Sequence, residues 1–273
     1  MTPVLESAEL STGVRLEYVE QGDPSGVPVV LLHGITDSWR SYGPVLPYLP
    51  DWIHAFAISQ RGHGDSGRPD DGYRPSDFAA DVAAFLDVKG IDRALVVGHS
   101  MGGIVAQRFA LDYPERVLGL VLECTFAKLA GHPDVDEMWH STLATLEDPV
   151  DPDFVRDFQR STLGQPIPPE LFETVVRESL KLPARVWRAA FGAIREVDLT
   201  GEIGAIDVPT LVVRGDRDAY CSRSDQEALA NAIPGARLAV YPSAGHAVHW
   251  EEPQRFASDL AAFAARRTAN TVA

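Results

Sequence analysis

Cysteine is nearly absent from this chain: Cys124 and Cys221 are the only two in 273 residues. Two thiols cannot build a disulfide framework, so a reducing, cytoplasmic setting is the expectation. No apolar run approaches the roughly 18 residues that span a bilayer, and Met1-Thr2-Pro3-Val4-Leu5-Glu6 lacks a basic segment leading into an apolar stretch. Neither a membrane partner nor a signal peptide is therefore expected. Positive charge is also scarce. Lys and Arg total 24 against 39 Asp and Glu, giving a net charge of −15. So acidic a surface repels phosphate backbones and removes nucleic acid from the expected partners. The eight histidines form no Cys/His cluster at zinc spacing, and His246-x-x-His249 alone is weak, so no metal is expected. There is no internal repeat and no low-complexity tract. What is present is an ordinary globular composition, 45% hydrophobic and 23% charged. The length suits one large α/β domain or a core with a smaller insertion.

Short β-branched runs alternate with helical patterns, which predicts a mainly parallel sheet with helices on both faces. Strands are predicted at Val14–Val19, Pro28–Leu32, Ile53–Ile58, Ala94–Val97, Val117–Leu122, Thr210–Val213 and Arg237–Tyr241. A helix begins near Ser76, read as its N-cap, with Phe78, Val82, Phe85 and Leu86 at helical spacing. Others are predicted at Met101–Tyr113, Ser224–Ile233 and from Glu252 to about Arg267. Between Phe126 and Val197 the pattern changes. Helical stretches at Val135–Leu146, Pro152–Ser161, Pro169–Lys181 and Ala184–Glu196 follow one another without a strand, punctuated by Pro166, Pro168, Pro169 and Pro183. This reads as an inserted helical cap, 126–197, on a core of 1–125 and 198–273. The tail Thr268–Ala273 is expected to fray.

Gly98-His99-Ser100-Met101-Gly102 fits Gly-x-Ser-x-Gly, a weak pattern by itself. Its position strengthens it: an apolar strand precedes it and a helix follows, so a strained turn would lift the serine hydroxyl out of the sheet. The flanking glycines allow the close backbone approach, and the helix directs its N-terminal N–H groups to the same point. A serine nucleophile needs a base. Gly245-His246 supplies one in a loop after the last predicted strand, where open α/β sheets build their sites. The histidine in turn needs a carboxylate. Asp218, just past the strand ending at Val213, is the first choice, Glu123 past Leu122 the alternative, and Asp216 a third. For the oxyanion, the Met101 N–H follows the nucleophile, and His33-Gly34-Ile35 follows an early strand, which nominates the Ile35 N–H.

Leu32-His33-Gly34, Arg61-Gly62-His63-Gly64-Asp65-Ser66, Gly98-His99-Ser100-Met101-Gly102-Gly103, Gly215-x-x-Asp218 and Gly245-His246-x-x-x-x-Glu251-x-Pro253 resemble, in order, the signature of the α/β-hydrolase superfamily. The resemblance covers the chain outside the cap. It implies an eight-stranded, mostly parallel sheet, a helical cap over the site, no cofactor, and Ser100, Asp218 and His246 as a catalytic triad. The chain departs mildly at Ser59-Gln60, where relatives often carry an aspartate. Some relatives, certain lactonases among them, carry the acid after the sixth strand, where Glu123 falls, so that arrangement stays open.

Other residues receive structural readings. His33 and His63 are expected to support loops, His99 to pack beside the elbow, and Cys124 and Cys221 to be buried free thiols. Trp139, Phe154, Phe158, Phe172, Trp187 and Phe191 are read as cap core with a few roofing an apolar pocket. Trp39, Trp139 and Trp187 are the substrate-binding candidates. The expected activity is hydrolysis of medium-sized apolar esters or lactones through an acyl-enzyme. Carbon–carbon hydrolases, cofactor-free perhydrolases and hydroxynitrile lyases would use the same triad, and a ligand receptor retaining it is the rival of another class. A serine at the elbow argues against dehalogenases and epoxide hydrolases.

Overall fold

Eight strands form one sheet in the computed structural model, which describes residues 4–268. In chain order they are β1 (Val4–Glu9), β2 (Arg15–Gln21), β3 (Val27–Leu32), β4 (Ile53–Ile58), β5 (Ala94–His99), β6 (Val117–Glu123), β7 (Thr210–Gly215) and β8 (Arg237–Tyr241). Their spatial order is β1-β2-β4-β3-β5-β6-β7-β8. The β1/β2 and β2/β4 pairs are antiparallel and the rest parallel. The inner strands β4 and β5 are buried at every position, as strands covered on both faces must be. Alternation still sorts side chains between the faces. Val30 and Leu32 of β3 join one hydrophobic cluster, while Val29 and Leu31 join the other.

Nine helices follow in chain order among the described residues: α1 (Pro75–Val88), α2 (Met101–Asp112), α3 (Pro133–Ser141), α4 (Pro152–Ser161), α5 (Pro169–Leu180), α6 (Ala184–Ile194), α7 (Arg223–Ala232), α8 (Val248–Glu251) and α9 (Pro253–Thr268). Phe78, Phe85, Ile104 and Phe109 of α1 and α2 pack on one face of the sheet, and Phe256, Leu260 and Phe263 of α9 on the other. From β3 the chain steps to β4 on one side, then crosses to β5 on the other. The loops after β3 and β5 therefore meet at the point where strand order reverses, the usual crevice of an open α/β sheet. The four helices α3–α6 lie between β6 and β7 in the chain. The ends of that segment meet: the Leu129 and Ala130 N–H groups donate to the Val197 carbonyl at 2.9 and 3.0 Å, and the Leu199 N–H to the Ala127 carbonyl at 2.8 Å.

Four local readings change. β1 was not expected, because Val4 and Leu5 are each 53% exposed and no alternation marks the segment; its strand form comes from six antiparallel partners in β2. Ser76 does not cap α1. Arg74 is the N-cap residue, Pro75 opens the helix, and the Asp77 carboxylate accepts the Arg74 N–H at 2.8 Å. The helix expected over Val135–Leu146 starts at Pro133 and ends at Ser141, with Leu143–Thr145 a separate 3-10 turn. The last expected helix is present as α9, starting at Pro253, and a short α8 that was not expected precedes it; the Pro253 ring cannot continue that turn. The expected fraying tail lies, past Thr268, outside the described residues. Among the described residues no helix is long and apolar enough to cross a membrane.

Candidate active site

Ser100 stands between β5 and α2 with φ 51° and ψ −116°, in the region L-residues avoid. The surrounding packing allows no relaxation. A Cβ added to Gly98 would lie 2.2 Å from the Gly102 carbonyl oxygen, and one added to Gly102 would lie 2.2 Å from that of Leu32. The strand, the turn and the first helical turn thus touch through bare backbone. The Ser100 N–H donates to the Glu123 carbonyl at 3.0 Å and its carbonyl accepts from Thr125 Oγ1 at 2.7 Å, which anchors the turn to the end of β6.

His246 follows β8 and is buried, with its N–H on the Thr162 carbonyl at 2.8 Å. Its Nδ1 faces both Asp218 oxygens at 3.0 Å. Asp218 Oδ1 also accepts the Tyr220 and Cys221 N–H groups at 2.8 and 3.0 Å. Burial alone would raise the Asp218 pKa, but His246 and those two N–H groups outweigh it and hold the carboxyl at about 2. Burial alone would likewise lower the His246 pKa. The Asp218 charge outweighs that and raises it above the ordinary 6.5. His99 ties the elbow to this loop, its Nε2–H donating to the His246 carbonyl at 2.9 Å.

Glu123 ends the neighbouring strand but serves a different histidine. Its Oε1 accepts the His249 N–H at 2.9 Å and faces His249 Nδ1 at 2.8 Å. Burial pushes Glu123 up to about 7 and His249 down to about 3. A neutral His249 that donates from Nδ1 accepts at Nε2, where Ser41 Oγ stands at 2.8 Å; the Trp250 indole N–H donates to the same Oγ at 2.9 Å. Ser41 also reaches Asp37 Oδ2 at 3.2 Å, and burial raises Asp37 to about 7. Glu123 is thus one end of a buried polar chain that reaches the loop after β3.

That loop contains Ile35 and then Thr36, whose φ is 71°. Among the described residues neither the Ile35 nor the Met101 N–H donates a hydrogen bond, so both are free for a ligand oxygen. Ile35, Asp37, His99, Ser100, Gln159 and His246 all border a cavity of about 190 Å³. Its remaining wall is largely apolar, with Phe126, Leu129, Met138, Phe158, Phe191, Ile194, Tyr220 and Trp250. The three tryptophans expected over the substrate are not part of this wall. Trp39 packs with the α9-side cluster and stacks under Arg40, 4.5 Å from its ring centre. Trp139 lies under Arg195 at 5.1 Å, and Trp187 is fully buried between Phe154 and Phe158. Trp250, Asp37 and Gln159 were missed because only tertiary packing turns them toward the cavity. Gln60, in the Ser59-Gln60 step where the chain departs from the superfamily pattern, braces the loop after β3: its Nε2 donates to the His33 carbonyl at 2.8 Å.

Only one group of donor atoms among the described residues is close enough to share an ion: Cys124, Asp218 and His246, within 4.8 Å of one another. Asp218 and His246 already satisfy each other there. Burial pushes the Cys124 thiol well up, which makes it a poor ligand.

A serine at a strained strand-to-helix turn, a carboxylate-held histidine, two unused N–H groups and an eight-stranded, mostly parallel sheet define a class. The alpha/beta hydrolase fold family model matches residues 27–253, and the chain belongs to that family. A Variovorax paradoxus protein provisionally named a carbamate hydrolase is 31% identical, over 93% of this chain and 97% of its own. Among solved structures, a Rhodococcus esterase is similar with a TM-score of 0.83 and 27% identity, covering 96% of this chain and 98% of that one. An enzyme described as degrading N-acyl homoserine lactones is similar with a TM-score of 0.78 and 28% identity, covering 94% and 100%.

Proposed function

We propose that the protein hydrolyses carboxylic esters or lactones through an acyl-enzyme formed on Ser100. The observation that carries this reading is the shared cavity: Ser100, forced out of the sheet, borders the same space as His246, whose far nitrogen Asp218 holds at 3.0 Å. Ser100 Oγ attacks the carbonyl carbon while His246 Nε2 takes its proton, and the Ile35 and Met101 N–H groups receive the oxyanion. The imidazolium then gives its proton to the departing alcohol oxygen. Water repeats the sequence on the acyl-serine, releasing the acid and restoring Ser100. A lactone runs the same course with the alcohol still tethered. Segment 126–197 acts as a cap, since Phe158 of α4 and Phe191 and Ile194 of α6 supply part of the cavity wall. The apolar wall and the small volume favour medium-sized, neutral acyl compounds. The similarity to an esterase, a lactone-degrading enzyme and a provisional carbamate hydrolase supports acyl transfer to water. The two buried thiols fit a reducing, cytoplasmic setting.

The test is a panel of esters, lactones and dienol-type diketones, run beside a serine-directed phosphonate. Steady turnover of esters or lactones with a single phosphonate on Ser100 is expected. Turnover confined to the diketones, or a phosphonate on another residue, would overturn the reading.

A further inference from the structure

Asp37, His99, Gln159 and Thr162 border the cavity but have no part in the acyl-transfer steps. Thr162 is committed to the protein, its hydroxyl donating to the Gln159 carbonyl at 2.8 Å. His99 gives its Nε2 to the His246 carbonyl, and its Nδ1, which has no partner among the described residues, lies against the Gly34 backbone; Asp37 is tied to Ser41. Gln159 is committed at one end only. Its Nε2 lies 2.8 Å from Ser179 Oγ, 3.1 Å from Thr36 Oγ1 and 3.3 Å from Asp37 Oδ1. The Ser179 hydroxyl also donates to the Val175 carbonyl at 3.0 Å, so toward Gln159 it accepts. Three acceptors around one end fix the amide orientation, with nitrogen on the loop after β3 and oxygen away from it. Gln159 is 1% exposed, and among the described residues its Oε1 accepts no hydrogen bond. Bordering the cavity with no protein donor, this acceptor is open to a ligand N–H or O–H.

We propose that Gln159 Oε1 is a specificity-determining acceptor, and that the preferred substrates are esters or lactones carrying an N–H or O–H donor near the scissile carbonyl. The proposal rests on the ester or lactone reading given above. It places the donor near the carbonyl because Gln159 is bonded to Thr36 and Asp37, the two residues that follow Ile35, whose N–H would hold the carbonyl oxygen. Acylamino and hydroxy substituents supply such a donor; their N-methyl and O-methyl analogues do not.

Matched pairs test this: an acylamino ester against its N-methylated form, and a hydroxy ester against its methoxy form. In the wild type, kcat/KM should favour the donor-bearing member by about 10-fold or more. Gln159→Met should bring that ratio close to one. Because Gln159 also braces the loop after β3, this variant will lose activity on both members, and the ratio within the variant removes the common loss. Thr36→Val weakens the brace but keeps Oε1, so it should slow both members and preserve the ratio. A wild-type ratio near one, or a ratio that survives in Gln159→Met, overturns the proposal. If no ester or lactone of either pair is turned over, the underlying reading fails, and that outcome is distinct from equal turnover of both.

Discussion

Glu123 ends β6 and Asp218 follows the neighbouring β7, and both side chains are buried beside a histidine, yet their surroundings push them in opposite directions. Asp218 is held at about 2 by His246 and two backbone N–H groups, whereas Glu123 is pushed up to about 7 by burial. Asp218→Asn should lower turnover by about 10³- to 10⁴-fold, since the amide no longer stabilises the imidazolium or fixes its tautomer. Glu123→Gln should cost less than about 10-fold, because an amide oxygen can still accept both His249 donors. Steady-state kinetics on one ester compares the two; a more damaging Glu123→Gln would transfer the proposed role to that acid. His246 must be neutral to act as base, so kcat/KM should fall on the acid side with a midpoint above 6.5, the ordinary histidine value. Removing the Asp218 charge should move that midpoint down. Ser100→Ala should reduce turnover by about four or more orders of magnitude while the protein stays folded, as near-unchanged circular dichroism would show.

At the scale of elements, the site depends on holding three separate loops together. Glu251 of α8 does part of this. Its Oε1 accepts the Gly164 N–H at 2.9 Å, and both its oxygens lie 3.1 Å from the Gly245 nitrogen, so one carboxylate joins the end of the α4 connection to the loop carrying His246. Glu251→Ala leaves two backbone donors unsatisfied and should cost about 2–3 kcal/mol in chemical denaturation. It should also reduce kcat more than it changes KM. Glu251→Gln should recover most of the stability, because one amide oxygen can still accept. Equal stability for the alanine variant and the wild type would refute the bracing role.

The whole molecule carries a pH dependence set by its buried histidines. Burial holds His63 at about 4, His99 and His249 at about 3, and His33 well below the ordinary value. Once unfolded, these side chains take protons near 6.5, so below that pH the unfolded chain binds more protons and stability falls. Asp37 and Glu123 act in the opposite sense. Both are raised to about 7, so the fold takes up their protons first and gains stability as pH drops toward 4. Glu17 and Glu251 are raised as well, but Asp218, Asp198, Asp65 and Glu20 are lowered and add to the loss, so the four histidines set the sign. The urea midpoint should therefore decline steadily from pH 6 to pH 4. A flat profile across that window would mean the histidines are not held neutral.

Seven of the eight strands were legible, because buried parallel strands such as β4 and β5 must be apolar at consecutive positions and stand out against polar turns. The elbow was legible for a similar reason: the requirement for bare backbone at Gly98 and Gly102 is written into local sequence. β1 was not, since five of its six residues are exposed and it gains its form from the register of β2. Residue type alone could nominate Asp218 and Glu123 but could not say which histidine each would meet. That depended on where the loop after β8 laid His246 and His249. The same limit explains the tryptophans. A large aromatic is favourable both in a core and in a cavity wall, and its side is decided by which helix face packs inward. Local pattern thus determined the sheet, the elbow and the candidate chemistry. Long-range packing alone assigned the carboxylates to their partners and placed Gln159, from α4, against the loop after β3.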